Sequence, residues 1–470
     1  MKICILQPDY STSGVDYKNY DPPRNLQNWL PDHDVDHVFL NKLSTYKQLK
    51  ELSKQGYDIF VNLCEAYLEW DIPSIDVIHS LELLNLPYTG PTLDLYDPSK
   101  EVMKYVASIA GIATPEYRLV NSLGDLNELS QDLRFPLFSK PAKAGDSLGI
   151  DDHSLAYDEK SLLQKVKSLL EEYGQVLVEE YIPGREFTVL VAADAKDDRK
   201  CVAFRPVEYL FPEDAPFKTY KLKTSDLHPE RNVVCNDEGL ERKLKKAACT
   251  FFREFGGKGY ARIDFRVNPK GKIYFLEVNF ACSVFYGGGY EGSADYILYN
   301  DPAGHKGFLQ MIIEEGISRH RSKQKKYYLR KSASSGYGIY AVRKLRKGEV
   351  VFRGEEKHQR IVSGAHVRKH WNAHDKELFR KYAYPAGDGI YILWDTDPGE
   401  WAPQNHSCVP NTQFDGLNVV ALREVQPDEE LTLDYARFMH PDMEAFECQC
   451  GELGCRKWIS AQTLSKESVH

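Results

Sequence analysis

The feature that most constrains this chain is the stretch from Gly259 to Phe280, GYARIDFRVNPKGKIYFLEVNF, in which two alternating runs flank an Asn-Pro-Lys-Gly segment. Such a turn between strand-forming runs specifies a β-hairpin, with arms from Ala261 to Val267 and from Ile273 to Val278. Asp264 lies on the first arm, while Glu277 and Asn279 lie two residues apart and share one face of the second. Three oxygen donors without Cys or His suit Mg²⁺, which leaves room for substrate phosphates. Arg262 faces the same way as Asp264 and places a cation beside that metal site. A surface hairpin with solvated charges is the plain alternative.

At 470 residues the chain has room for about three domains, and its hydrophobic and charged fractions are those of a globular protein. A net charge of −9 argues against a dedicated nucleic-acid binder. The opening MKICILQPDY reads as a first strand and not a signal peptide. No stretch approaches the roughly 18 apolar residues of a membrane span, so neither membrane insertion nor a membrane partner is expected. Cys4, Cys64, Cys201, Cys235, Cys249 and Cys282 are scattered, as reduced core thiols of a cytoplasmic protein would be; Cys408, Cys448, Cys450 and Cys455 cluster late.

The fold class expected is multidomain α/β. Apolar runs at Lys2 to Leu6 and Asp58 to Leu63, with a helix at Ile75 to Leu84, define a small parallel-sheet domain over 1–95. A second domain, 96–320, opens with a helix at Ser99 to Ala110. It continues through strands at Leu137 to Lys140, Gln175 to Tyr181 and Phe187 to Ala192, a helix at Leu240 to Phe255, and the hairpin. The basic run RHRSKQKKYYLRK reads as a boundary, with a linker at 321–331; phosphate binding is its alternative. Short strands and glycines then mark a mostly β domain over 332–447 and a cysteine-bearing tail over 448–470.

Lys140 ends an apolar strand and precedes PAKAGDSLG, a loop able to fold backbone N–H groups over phosphates. Together with LLNLPYTGP, KYVASIAGIATP, VLVEEYIPGREFTV, RIDF and LEVN in that order, it resembles the ATP-grasp superfamily in its D-alanine–D-alanine ligase-like branch, over about residues 58–315. The resemblance implies ATP and Mg²⁺ as cofactors. Lys104, Lys140, Ser147 and the loop lysine Lys223 would contact phosphates, Glu179 and Ile182 the adenine edge, and Glu186 the ribose. It makes Asp264, Glu277 and Asn279 metal ligands and Arg262 a catalytic cation. The implied reaction activates a carboxylate as an acyl phosphate for attack by an amine of a small amino acid or peptide, which is mostly positioning and charge neutralisation. Two departures concern the substrate: Asn62-Leu-Cys-Glu65-Ala-Tyr67 replaces the family's His-Gly region, and Phe280 to Gly289 replaces its Pro-Gly-Met turn. D-Alanine is therefore not the expected substrate, and a homodimer is expected only by analogy with the family.

The most specific signal comes later. Gly336-Tyr-Gly338-Ile-Tyr340, Asn405-His406-Ser-Cys408-Val-Pro-Asn411, Glu430-Leu-Thr-Leu-Asp434-Tyr435 and Cys448-Gln-Cys450-Gly-Glu-Leu-Gly-Cys455 resemble a SET domain with a zinc-binding post-SET tail, over 328–460. The resemblance implies a pseudo-knot and S-adenosyl-L-methionine (AdoMet) held by Gly336, Gly338, Tyr340, Asn405 and His406. It makes Tyr435 the catalytic tyrosine of a channel admitting the lysine of a protein, peptide or amino acid. A lysine must shed its proton to attack, which desolvation in an aromatic channel favours. C-x-C-x4-C is a plausible metal triad, to which the resemblance adds Cys408 as a fourth thiolate for Zn²⁺; disulfides are the alternative.

Overall fold

The computed structural model describes residues 1–14, 21–66, 71–126, 129, 132–143, 148–197, 200–211, 217, 229–324, 326–332, 336–387, 389–394, 404–439 and 445–460. The chain divides into two compact units, Met1–Lys323 and Gln324–His470. No helix among the described residues is long and apolar enough to cross a membrane.

The first unit begins with a three-stranded parallel sheet made of β1 (Lys2–Asp9), β2 (Asp34–Asn41) and β3 (Ile59–Asn62), with β1 central. Helices α1 (Thr45–Leu52) and α2 (Ile75–Leu83) cover it, followed by α3 (Lys100–Ile109), which the Ser99 side chain caps by accepting from Val102 N. Strands β4 (Tyr117–Val120), β5 (Leu137–Pro141), β6 (Leu155–Ala156) and β7 (Val176–Glu180) form a second sheet in the order β4-β7-β5-β6. Helix α4 (Glu159–Tyr173) packs Leu162, Val166 and Leu169 into its core.

The third sheet carries the hairpin. It runs β11 (Asn232–Val234), β10 (Val207–Tyr209), β8 (Arg185–Ala193), β12 (Tyr260–Val267) and β13 (Ile273–Asn279), with β9 (Cys201–Ala203) paired to β8. The turn is built as its residues demand. Gly271 N donates to Asn268 O at 2.8 Å, Gly271 takes φ +77°, and Asn268 Oδ1 accepts from Lys270 N and Lys272 N at 3.0 and 2.9 Å. Helix α5 (Glu238–Glu254) packs Leu244, Phe251 and Phe252 against Ile263, Phe265 and Phe275, so one face of the hairpin is core and the other is free for chemistry. Helices α6 (Ser293–Asn300) and α7 (Gly304–Lys323) complete the unit.

Three expectations are corrected. The proposed linker at 321–331 holds the end of α7 and β14 (Tyr327–Lys331), and the units part between Lys323 and Gln324; the run lacked a helical period because two elements share it. Residue 95 is no packing boundary, because Phe308 and Ile312 of α7 share one core with Ile3, Ile5, Ile59 and Val61. Cys201 and Cys249 are not free thiols. They form a disulfide, α5 lying beside β9 with the two Cα atoms 5.9 Å apart. Cys4, Cys64, Cys235 and Cys282 are free and buried.

In the second unit β14 pairs with β15 (Tyr337–Ala341), and β16 (Val350–Phe352) belongs to a separate small sheet. A further sheet, β17 (Gln359–Ser363), β18 (Tyr384–Gly387) and β19 (Ile390–Trp394), carries α8 (Gly364–His370) and α9 (Ala373–Tyr382). Then follow β20 (Asn405–His406), β21 (Thr412–Asp415), β22 (Asn418–Ala421), β23 (Glu430–Leu433), β24 (Phe446–Glu447) and β25 (Trp458–Ile459). The four-stranded sheet β14-β15-β23-β20 closes when β20 adds parallel to β23, Asn405 opposite Thr432 and His406 opposite Leu433. Asn411 fastens the crossing: its Nδ2 donates to Glu430 O at 2.8 Å and its Oδ1 accepts from Thr432 N at 2.9 Å.

Candidate active sites

In the first unit the hairpin sets Asp264 directly opposite Glu277 and Arg262 opposite Asn279. A register shift just after Asp264 leaves Leu276 as an extra residue, and this bulge turns Leu276 and Glu277 into the same cleft. Arg262 Nε lies 3.4 Å from Asp264 Oδ1. Asn279 Nδ2 is buried with no hydrogen-bond partner among the described residues, the sort of polar atom a ligand satisfies. Three side-chain oxygen donors and a neighbouring guanidinium fit a hard cation and an anionic ligand.

The cleft is open to solvent, and Lys140, Glu179, Glu186, Asp264, Arg266 and Glu277 line it. Lys104 from α3 and Lys140 from β5 both reach Glu179 of β7, Nζ to carboxyl oxygen 2.6 Å in each case, and all three side chains are buried. Burial opposes the charged form of Glu179, yet the two ammoniums hold it down at about 2. Two ammoniums against one carboxylate leave a net positive charge for an anion. Glu186 on β8 pairs with Arg266 Nε at 3.3 Å, and Arg266 Nη1 donates to Tyr181 OH at 2.9 Å and Ile182 O at 3.3 Å. Ser147 and Lys223 lie outside the described residues.

Sequence reasoning missed two cations here. Arg266 stands at period two from Arg262 and Asp264, so the alternation that found those residues reaches it as well. Lys100, the first residue of α3, is buried and influenced by Glu277; burial, with Lys140 adding, brings it down to about 8. Where the substrate motifs departed from the family there is a buried polar knot. Arg24 Nη1 meets Glu65 at 2.7 Å and Val284 O at 3.2 Å, and Nη2 donates to Leu63 O at 2.8 Å. Tyr286 OH donates to Asp21 at 2.5 Å, and Tyr10 also donates to Asp21. Burial raises Glu65 to about 7 despite Arg24. Asp295, fully buried, accepts from Phe285 N at 2.7 Å and lies 3.0 Å from His305 Nε2, fixing the segment after the hairpin.

In the second unit Tyr435 follows β23. Its N–H donates to His406 Nδ1 at 3.1 Å and its hydroxyl to Gln404 O. Phe438, Phe446 and His406 surround it, with ring centres 5.4, 6.0 and 5.5 Å away. Phe438 continues to Phe414 at 5.3 Å and to Tyr384 at 5.6 Å, giving an aromatic wall that the sequence motifs did not name. Gly336, Gly338 and Tyr340 lie at or beside β15, and Asn405 Nδ2 reaches Tyr337 O at 3.3 Å. Leu433 is buried in the core of this unit. His366, His370 and His374 are exposed around α8 and α9, and Trp371 packs on Phe379.

The four late cysteines come together, with all Sγ atoms within 4.8 Å of one another and Cys408 to Cys448 at 3.8 Å. Thiolates about 2.3 Å from a tetrahedral Zn²⁺ stand about 3.8 Å apart, so the cluster fits that ion. Arg456 N donates to Cys408 Sγ and Lys457 N to Cys455 Sγ, both at 3.4 Å. Arg456 Nη2 also meets Asp434 Oδ1 at 2.5 Å, tying the cysteine tail to the residue before Tyr435.

Residues 106–282 match the family described as D-ala D-ala ligase C-terminus, and residues 336–436 match the SET domain. The D-alanine–D-alanine ligase of Dechloromonas aromatica (strain RCB) is 31% identical over 207 residues, 43% of this chain and 64% of that protein. The enzyme of the same name from Aquifex aeolicus (strain VF5) is 31% identical over 202 residues, 42% of this chain and 64% of its own length. This chain thus spans about 64% of the length of these relatives. The D-alanine–D-alanine ligase structure from Coxiella burnetii superposes with a TM-score of 0.50 at 18% identity, over 69% of this chain and 97% of that one. The chain is thus similar to the D-alanine–D-alanine ligase C-terminal region over 106–282 and to the SET domain over 336–436, in a mixed α/β architecture.

Proposed function

We propose that the chain joins an ATP-dependent carboxylate–amine ligase to an AdoMet-dependent lysine N-methyltransferase. The observation that supports the ligase best is the register that opposes Asp264 to Glu277 and Arg262 to Asn279, in a cleft that Lys140 also lines. Asp264, Glu277 and Asn279 would hold Mg²⁺, which supplies charge neutralisation at the phosphates. Lys104 and Lys140 would bind the phosphates, and Arg262 would steady the acid undergoing activation. The substrate carboxylate attacks the γ-phosphorus of ATP with ADP leaving; an amine then attacks the acyl carbon and expels phosphate.

At the second site the aromatic wall and Tyr435 would strip water from a substrate lysine and orient its nitrogen toward the methyl donor. Cys408, Cys448, Cys450 and Cys455 would hold Zn²⁺ as a structural clamp. The partners proposed are a small amino acid or peptide at the first site and a lysine-bearing protein, peptide or amino acid at the second, in a cytoplasmic homodimer.

A second reading keeps the methyltransferase and gives the first unit a recognition role. It is favoured by the knot in which Asp21 and Glu65 are already bonded to Arg24 and Tyr286. ADP and phosphate release, screened over amino acids and peptides, separates the two: stimulated turnover supports ligation, and its absence across the screen leaves recognition. Transfer of labelled methyl from AdoMet to a lysate tests the other site, and metal analysis should find one zinc per chain.

A further inference from the structure

Glu430 opens β23 and belongs to none of the motif positions assigned to a cofactor. Its carboxyl nevertheless gathers their side chains. Oε1 accepts from Asn405 Nδ2 at 2.7 Å, while Oε2 accepts from Ser332 Oγ at 2.9 Å and Tyr340 OH at 3.1 Å. Tyr340 is its register partner across β15 and β23. Gly338 backs onto the same carboxyl: a Cβ added there would stand 2.1 Å from Glu430 Oε1 and 2.9 Å from Asn405 Nδ2. The glycine thus leaves the space that this carboxyl and the Asn405 amide occupy. All three donors are neutral, and among the described residues no Lys or Arg pairs with Glu430. A carboxylate offers about four acceptor positions, so one remains for a further donor. An acid held by neutral groups at the mouth of a glycine cradle is a seat for a cation.

We propose that Glu430 receives the α-ammonium of the methyl donor and so fixes its amino-acid end. The inference rests on the methyl-donor reading above and goes beyond it by naming the residue and the group it binds. The ligand pair that tests it differs only at that end. S-adenosylhomocysteine keeps the ammonium and carboxylate, whereas 5′-deoxy-5′-methylthioadenosine keeps the nucleoside and thioether and lacks both.

Calorimetric titration of the full chain and of Glu430→Gln with each ligand reads the effect directly. Loss of a charge-assisted hydrogen bond should weaken S-adenosylhomocysteine about tenfold or more while methylthioadenosine changes less than about twofold. Glu430→Asp, which keeps the acid but shortens its reach, should fall between and serves if the Gln variant does not fold. An equal loss for both ligands would make Glu430 a structural brace and overturn the inference. Unchanged S-adenosylhomocysteine affinity in the variants would overturn it too. A wild-type chain that binds neither ligand would instead sink the methyl-donor reading, and this inference with it.

Discussion

The two candidate sites gather their polar groups in opposite ways. The first unit assembles full charges on a helix and two strands: Lys104 and Lys140 each pair with Glu179 at 2.6 Å, and all three are buried. The site of the second unit uses aromatic rings, backbone and neutral donors, with its charges on Glu430, the Asp434–Arg456 pair and the thiols. Buried charges are costly to leave unpaired, so the first site should be energetically brittle, whereas the second should lose chemistry before it loses stability.

The sharpest break of that contrast is Glu179→Ala, which leaves two buried ammoniums uncompensated. It should cost the first unit about 3–5 kcal/mol in urea unfolding, and a loss under about 1 kcal/mol would show that water already screens the pair. The counterpart is Tyr435→Phe, for which methyl transfer should fall about 100-fold, near 2.7 kcal/mol at the barrier, with the melting temperature unchanged. A coupled loss of stability would erase the distinction between the sites.

Glu65 sharpens the comparison through pH. Its folded value of about 7 stands above the ordinary 4.5, so its neutral form is favoured in the fold. The stability this confers is complete below about 4.5 and is lost as pH rises through 7. Glu65→Gln should therefore gain on the wild type across that window, by about 3 kcal/mol in denaturant melts. A constant difference from pH 4.5 to 7 would contradict the assignment. The smallest effect is expected from Arg456→Ala. Breaking the partly exposed pair with Asp434 should lower the stability of the second unit by about 1 kcal/mol, while methyl transfer falls because the tail no longer steadies the residue before Tyr435. Transfer at the wild-type rate would separate the tail from the site.

Much of the site was legible before any fold was known, because alternation and turn chemistry are local. Asn-Pro-Lys-Gly specified the hairpin, period two put Arg262 with Asp264 and Glu277 with Asn279, and the SET-like motifs named Asn405, His406 and Tyr435. Reading one step further along β12 would have added Arg266. The roles of Lys100, Arg24 and Glu430 carried no local signal. Each matters through residues distant in sequence: Glu277 for Lys100, Glu65 and Val284 for Arg24, and Asn405 and Ser332 for Glu430.

Composition and period thus determined which elements form and which faces carry polar groups, because those depend on neighbours within a few residues. Register across the hairpin was decided elsewhere. Counted back from the paired Val267 and Ile273, an unbroken ladder would set Glu277 opposite Ile263, on the face that packs against α5. The extra residue at Leu276 shifts it opposite Asp264. That bulge is a property of the packed sheet, where Phe275 and Val278 must both reach the core while Leu276 and Glu277 face the cleft.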